Sequence, residues 1–411
     1  MSRPILVTGA GVVSCIGNDV PTFWDNLLAG RSGIRPVTSF DTTDVPCKVA
    51  GEVDLDPTDH LTPTDVRRST RLHHLMMAAV APVWEGVSVR PGDVVALVAG
   101  CGGGGEAALA DLVDANRDAI ARRGWNALDR LTMTRVLPNM AAAFVAEKLG
   151  ITGPCLTITT ACAASTDAIG IAAGLLRAGA VDLAIAVGAE AWLTPCVING
   201  FCRLQAMSTR PASEATSASR PFDLDRDGMV PAEGAAALVL EREGTSLRGS
   251  EPLGIVAAAS STCDAEHVTR PRRDGAVAAQ AVQRALAAAG VEVDAVDHVN
   301  VHGTSTPLND VAETLALKRV FGARSGRIPM TANKSIIGHA SGASGALETV
   351  ATLQTLRTGI VPPTINLDRP DPDCDLDYTP AHAREVGVRT AVKCNFGFGG
   401  QNSALVLKRL A

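Results

Sequence analysis

One cysteine and two histidines in this chain occupy settings suited to chemistry. Cys162 ends a β-prone run, Ile158-Thr159-Thr160-Ala161, and opens a stretch of small residues that reads as a helix. A thiol at a helix start meets unpaired backbone N–H groups and their partial positive charge. That placement predicts a lowered pKa and a larger thiolate fraction. The small neighbours keep the sulfur accessible and let backbone N–H groups approach a substrate carbonyl. A buried structural cysteine is the alternative there.

His302 follows a strand-like run and enters Gly303-Thr304-Ser305-Thr306 before a helix. The Thr304 and Thr306 hydroxyls suit either a polar chain or the helix cap. Lys334 and His339 lie five residues apart in a glycine-rich loop, and Glu348 follows nine residues later. Asn395-Phe396-Gly397-Phe398-Gly399-Gly400 is a glycine turn able to present a backbone N–H. A lone histidine is more often structural than catalytic. A cysteine with two histidines, all in small-residue loops after strands, is a nucleophile constellation.

Short apolar runs alternating with amphipathic or Ala-rich stretches are what would position these groups, and they predict an α/β fold. Strands are expected at Ile5–Gly9, Val94–Ala99, Cys155–Thr160, Leu183–Gly188, Gly254–Ala259, His298–His302 and Ser403–Leu407. Helices are expected at Thr22–Ala29, Met133–Leu149, Ala163–Ala178, Ala276–Ala289, Asp310–Phe321 and Gly345–Thr358. A weak polar junction falls at Arg242–Glu251, which suggests halves 1–250 and 251–411. Leu175-Leu176-Arg177-Ala178-Gly179 resembles Thr355-Leu356-Arg357-Thr358-Gly359, each closing a helix. The pair hints at duplication, although two ordinary helix-ending glycines would look the same.

Composition narrows the rest. With 411 residues, 46% hydrophobic and 19% charged, the chain holds a large core and is not predominantly disordered. A net charge of -6 without a long basic run excludes a general nucleic-acid binder. With 39 glycines and only 3% aromatics, tight backbone packing is expected more than large aromatic pockets. Ten cysteines without a CxxC pair suggest buried reduced thiols rather than zinc. No long uncharged apolar stretch spans a membrane, and the opening residues lack a signal-peptide core, so a soluble cytoplasmic protein is expected. Thr8-Gly9-Ala10-Gly11 is reminiscent of a nucleotide-binding turn, but the spacing is not GxGxxG. The only tyrosine, Tyr378, lacks the lysine four residues on that a short-chain dehydrogenase needs. A tight strand-to-loop turn is the preferred reading.

Together the four segments resemble the β-ketoacyl-[acyl carrier protein] synthases, condensing enzymes of thiolase fold, and most closely the type II elongation enzymes. Val7-Thr8-Gly9-Ala10-Gly11, Phe23-Trp24, Arg220-Pro221-Phe222-Asp223, Arg226-Asp227-Gly228 and Pro362-Pro363-Thr364-Ile365-Asn366 extend the likeness over nearly the whole chain. The resemblance implies two pseudo-duplicated α/β halves in five layers, αβαβα. It implies that Cys162 accepts an acyl chain, while His302 and His339 hydrogen-bond a malonyl thioester as it loses CO2. The Cys162 and Phe398 backbone N–H groups would form the oxyanion hole, with the Phe398 ring as a gate. Lys334 and Glu348 would support the histidines. Thr304, Thr306 and Thr269 would bind the phosphopantetheine arm, which arrives on the carrier protein, so no cofactor or metal belongs to the chain itself. A homodimer, or a heterodimer with a chain-length-factor homologue, is expected, with acyl carrier protein and acyl and malonyl thioesters as partners.

Two departures bear on the substrate. Cys101, before four glycines, replaces a bulky aliphatic residue of the acyl tunnel, which predicts extra room for medium, long or rigid unsaturated chains. Cys394-Asn395 stands where Asn-Ser is usual. Arg67, Arg68 and Arg71 fit one carrier-protein patch, with Arg130 or Arg203 as shifted positions; a solvated helix face is the alternative. A degradative thiolase would need a second catalytic cysteine where Phe398 stands. A chain-length factor would lack Cys162.

Overall fold

The computed structural model describes residues 3–245 and 248–410. Ten strands form one continuous sheet: β1 (Ile5–Val13), β2 (Val95–Gly100), β3 (Cys155–Ile158), β4 (Leu183–Glu190), β5 (Gly234–Arg242), β6 (Gly254–Cys263), β7 (His298–Asn300), β8 (Met330–Thr331), β9 (Thr390–Gly397) and β10 (Gln401–Lys408). Their order is β8-β7-β9-β10-β6-β1-β5-β4-β2-β3. The order divides at its middle into two five-strand sets with matching topology. The first five strands of the chain lie on one side and the last five on the other. Only Leu6↔Ile255 and Val7↔Gly254 pair β1 with β6 across that divide.

Helices complete the layers: α1 (Arg71–Trp84), α2 (Met140–Leu149), α3 (Ala164–Arg177), α4 (Ala276–Ala288), α5 (Pro307–Phe321) and α6 (Ser344–Thr358). α3 and α6 lie between the two strand sets, in a core that draws on both halves through Val98, Ile169, Leu238, Leu347, Leu353 and Leu405. α1 and α2 cover the outer face of the first set, and α4 and α5 that of the second. The chain thus has the five-layer thiolase arrangement. The matched segments Leu175–Gly179 and Thr355–Gly359 do close the equivalent helices α3 and α6. Gly179 (φ 69) and Gly359 (φ 76) take the left-handed conformation that ends each one.

The structure departs from the sequence reading in definite places. The expected helix Met133–Leu149 is two helices, Thr132–Val136 and α2, because Pro138 forces Leu137 into an extended conformation. Thr8-Gly9-Ala10-Gly11 is interior to β1, not a strand-to-loop turn. A Cβ on Gly11 would lie 2.1 Å from the Ala79 carbonyl, so glycine here lets α1 close on the sheet. Cys155, Cys196 and Cys263 are exposed rather than in the core. All ten cysteines are free. Among the described residues no helix is long and apolar enough to cross a membrane.

Candidate active site

Cys162 and His339 lie at the starts of the equivalent central helices α3 and α6, though not at equivalent positions: Ala161 corresponds to Ser341, so Cys162 corresponds to Gly342. A residue forced into the left-handed region marks each helix start: Ala161 (φ 48), immediately before Cys162, and Ser341 (φ 41), two residues after His339. Such backbone is strained for a residue with a Cβ and is held only by surrounding structure. The two helix starts abut, so the Cys162 Sγ lies 3.2 Å from His339 Nε2. His302 arrives on the loop after β7, its ring centroid 5.4 Å from that of His339.

Hydrogen-bond partners fix the proton positions. His302 Nδ1 faces two donors, Lys334 Nζ at 3.2 Å and Asn395 Nδ2 at 3.1 Å. It must therefore accept, which leaves the ring proton on Nε2; at rest the ring donates to the Phe396 carbonyl. His339 Nδ1 accepts from the Ser341 backbone N–H at 3.1 Å, so its Nε2–H points at the sulfur. Burial, with Lys334 beside them, holds both imidazoles well below the usual pKa, and they are neutral donors. One ligand atom from each of Cys162, His302 and His339 falls within 4.8 Å of the others, a spacing that a metal ion could bridge. Metal-bound histidines normally donate Nδ1–H to an acceptor. Here His302 Nδ1 meets only donors, so the trio suits a polar substrate atom better than a cation.

Lys334 is buried, and its ammonium has three acceptors: the His302 carbonyl at 2.7 Å, His302 Nδ1, and the Glu348 carboxylate. Burial pushes Glu348 up, but Lys334 and Lys393 outweigh it and hold the carboxyl below its ordinary range. Phe398 presents its backbone N–H to the Cys162 sulfur, as Cys162 does itself. The expected lowering of the thiol pKa is not what the site produces. Desolvation outweighs Lys334 and these two N–H groups, and the thiol is pushed up to about 11. The helix-end charge alone does not overcome removal from water.

A cavity of about 250 Å³ opens above the thiol. Thr304, Thr306 and Thr269 line it, as do Phe398, Trp192 and Phe201. The Thr304 and Thr306 hydroxyls bond each other at 2.9 Å and face the cavity; Thr306 makes no side-chain cap on α5. Phe398 stacks on Phe201, and Trp192 sits edge-on to both Phe201 and His339. Few aromatics therefore still make an aromatic wall, contrary to the expectation from composition.

Cys101 is not part of that lining. It is buried, and its thiol lies 3.9 Å from the Pro138 carbonyl. Three of the four glycines after it are closely packed, while a Cβ on Gly103 would meet nothing within 4 Å. Gly102 and Gly103 donate their N–H groups to the buried Glu190, at 2.7 and 3.1 Å, and a Cβ on Gly102 would lie 2.5 Å from that carboxylate. Arg71 is likewise not a free docking residue. It grips Glu233 through two nitrogens, at 3.1 and 2.8 Å, and the Val53 carbonyl at 2.6 Å. Arg68 pairs with Asp65 and Glu147, while Arg67 is exposed, its guanidinium bonding to the nearby Thr64 hydroxyl.

Several site residues escaped the sequence reading. Glu313 accepts the N–H groups of His302 and Gly303 at 2.6 and 2.8 Å, and burial pushes it up to about 7. Asp310 accepts the Thr304 and Phe222 N–H groups, and Arg226 lies 3.6 Å from it. Glu190 also takes the Gly342 N–H at 3.0 Å, tying the Cys101 loop to the His339 loop. The three-residue spacing Asp310–Glu313 at a helix start was the available signal.

Residues 2–246 match the β-ketoacyl synthase N-terminal domain family and residues 253–368 its C-terminal domain family. The chain belongs to the β-ketoacyl synthases. It is 38% identical to a Synechocystis protein named 3-oxoacyl-[acyl-carrier-protein] synthase 2, over 99% of this chain and 98% of that one. Among solved structures it is similar to a type II polyketide ketosynthase in complex with its acyl-carrier protein, with TM-score 0.91, 30% identity and both chains fully covered. It is also similar to the ishigamide ketosynthase/chain length factor, with TM-score 0.89, 32% identity and both chains fully covered.

Proposed function

We propose that this condensing enzyme is a 3-oxoacyl-[acyl carrier protein] synthase that extends acyl chains by decarboxylative Claisen condensation. Cys162 attacks an acyl thioester, and the pantetheine thiol leaves with the thiol proton. The Cys162 and Phe398 N–H groups steady the oxyanion. Malonyl thioester then enters, with its carbonyl oxygen between His302 and His339. As CO2 departs, two neutral Nε2–H donors meet the growing enolate charge, and each such donor is worth about 3 kcal/mol. The enolate carbon attacks the acyl-Cys162 thioester, and Cys162 returns. Lys334 and Glu348 hold His302 without touching the reacting carbons. Thr304, Thr306 and Thr269 bind the pantetheine arm, so the chain needs no prosthetic group of its own, and Arg67 with Arg68 guides the acidic carrier protein.

The observation that carries this reading is the proton placement. Both rings present Nε2–H because both Nδ1 atoms accept from fixed donors. A general base would need the opposite arrangement. A polyketide setting with a chain-length-factor partner is the second reading, favoured by the ketosynthase structures it resembles. β3 supports a partner chain in either case, since this edge strand leaves Cys155 and Leu156 exposed. A cytoplasmic setting goes with both readings. Intact-protein mass spectrometry after incubation with acyl-carrier protein should show one acyl adduct, lost in Cys162→Ala. Malonyl thioester should release CO2 in Cys162→Gln, whose amide resembles the acylated thiol. No adduct and no CO2 would overturn the proposal.

A further inference from the structure

A second ammonium lies behind the site. Lys393, in the middle of β9, is completely buried, with Glu348 Oε2 at 2.7 Å, the Cys394 carbonyl at 2.7 Å and Asn395 Oδ1 as partners. Three acceptors match the three protons of an ammonium. Buried charge is costly, and burial pushes Lys393 down to about 8 against the pull of Glu348. An ion-pair partner for Glu348 alone does not explain it, since Lys334 already supplies one.

Its contact with Asn395 does. An amide can turn either end toward a neighbour, and the two ends carry opposite roles. Lys393 Nζ and the Thr166 hydroxyl both donate to one end of the Asn395 side chain, which must therefore be Oδ1. The NH2 end is thereby aimed away, at His302 Nδ1 (3.1 Å) and Glu348 Oε2 (3.0 Å). The two amide protons have two acceptors. The charged and titratable groups around this cluster are Lys334, Glu348, His302 and the Cys394 thiol, with His339 and Glu313 beyond them.

We infer that Lys393 is a positioning residue: by fixing the orientation of the Asn395 amide it locks His302 in the Nε2–H tautomer that faces the substrate. Without the ammonium, Asn395 loses the donor that holds Oδ1 away from Nδ1. Lys334 Nζ, 3.2 Å from Nδ1, and Glu348 Oε2, 3.0 Å from Nδ2, still favour the original arrangement, but the flipped amide with the ring proton on Nδ1 gains population. His302 then offers a lone pair to the enolate oxygen instead of a proton. The kinetic consequence rests on the condensing reading above; the tautomer does not.

The test uses full-length Lys393→Met, which keeps the length of the side chain, and Asn395→Asp, which presents an acceptor to Nδ1 and gives two anions to balance two cations. In protein labelled with 15N-histidine, the wild type should show His302 protonated on Nε2 and bare on Nδ1, and both variants should shift protonation toward Nδ1. Malonyl decarboxylation should fall about tenfold in Lys393→Met and about 100-fold in Asn395→Asp. Acyl loading of Cys162, which does not use the His302 proton, should change by less than about threefold. An unchanged tautomer in both variants overturns the inference. So does a loss of loading as steep as the loss of decarboxylation, which would make Lys393 a structural ion-pair partner. The labelled spectra need no substrate, so they decide the lock even if the wild type neither loads acyl groups nor releases CO2, a result that would refute the functional reading instead.

Discussion

Glu190→Gln probes how the Cys101 loop and the His339 loop are held together. The carboxylate is buried at the end of β4 and takes N–H groups from Gly102 (2.7 Å), Gly103 (3.1 Å) and Gly342 (3.0 Å), with the Ser341 hydroxyl as a further donor. Burial raises its pKa and these donors oppose the rise. A glutamine keeps one oxygen. Turned to retain Gly102 and Gly342 on that oxygen, it sets its NH2 group against the Gly103 N–H. The half-buried Gly103 N–H then keeps only its longer contact, 3.3 Å to the retained oxygen, and faces the NH2 group as a second donor, at a cost of about 1–3 kcal/mol. The same side chain also holds the other loop, through the Gly342 N–H and the Ser341 hydroxyl, and the Ser341 N–H fixes His339 Nδ1, so a shifted Glu190 side chain shifts His339 as well. Misplacing a catalytic donor by a fraction of an ångström to 1 Å costs up to about 100-fold. Urea unfolding followed by tryptophan fluorescence should show the stability loss, and CO2 release from malonyl thioester should fall about 10- to 100-fold. A variant within about 0.5 kcal/mol of wild type would refute the accounting of donors. A destabilised variant with unaltered CO2 release would refute the coupling to His339.

The Cys162 thiol, pushed up to about 11, should be alkylated by iodoacetamide at a rate that keeps climbing from pH 7 to 10, about tenfold per unit. A plateau below pH 8 would mean that the sulfur is already ionised as a thiolate–imidazolium pair. His302→Ala and His339→Ala should each cut malonyl decarboxylation by about 100- to 1,000-fold, and the double variant should lose far less than the product; strict multiplicativity would show that they do not share one oxygen. Arg67→Glu should raise the carrier-protein KM, with a smaller effect at high salt and an unchanged melting temperature. Arg71→Glu should lower the melting temperature instead, because it leaves the nearly buried Glu233 facing a like charge; equal effects of the two on KM alone would refute that distinction.

Residues in recurrent motifs were readable without a structure. Cys162, His302, Lys334, His339 and Glu348 lie in loops and helix starts whose small-residue neighbours mark them. Lys393 was missed, and Asn395 was read only as the start of a glycine turn, because the two interrupt the strand Thr390–Gly397, which consequently did not read as a strand. A charged residue inside an otherwise buried run signals an internal partner, and that partner, Glu348, was in view. β5 was missed for the opposite reason: Gly234–Arg242 is buried along almost its whole length, so it shows no alternation. The lining role expected of Cys101 failed on the glycines. The missing side chain of Gly102 admits a carboxylate and a neighbouring loop, and glycine content alone does not tell such packing from room for a ligand.

The meeting of the two central helix starts also sets an order of events. During synthesis the segment with Cys162 emerges first, and the other side chains of the proposed mechanism lie later in the chain: His302, Lys334, His339, Glu348 and Phe398. The halves share only two strand pairings, so the contact that completes the site is the packing of α3 against α6. A first half folded by itself therefore carries a thiol without proton donors or an oxyanion partner from Phe398. On the proposed mechanism, catalytic competence appears only when the last strands, β9 and β10, close beside β7 and β6, and a chain stalled short of Phe398 is chemically quiet.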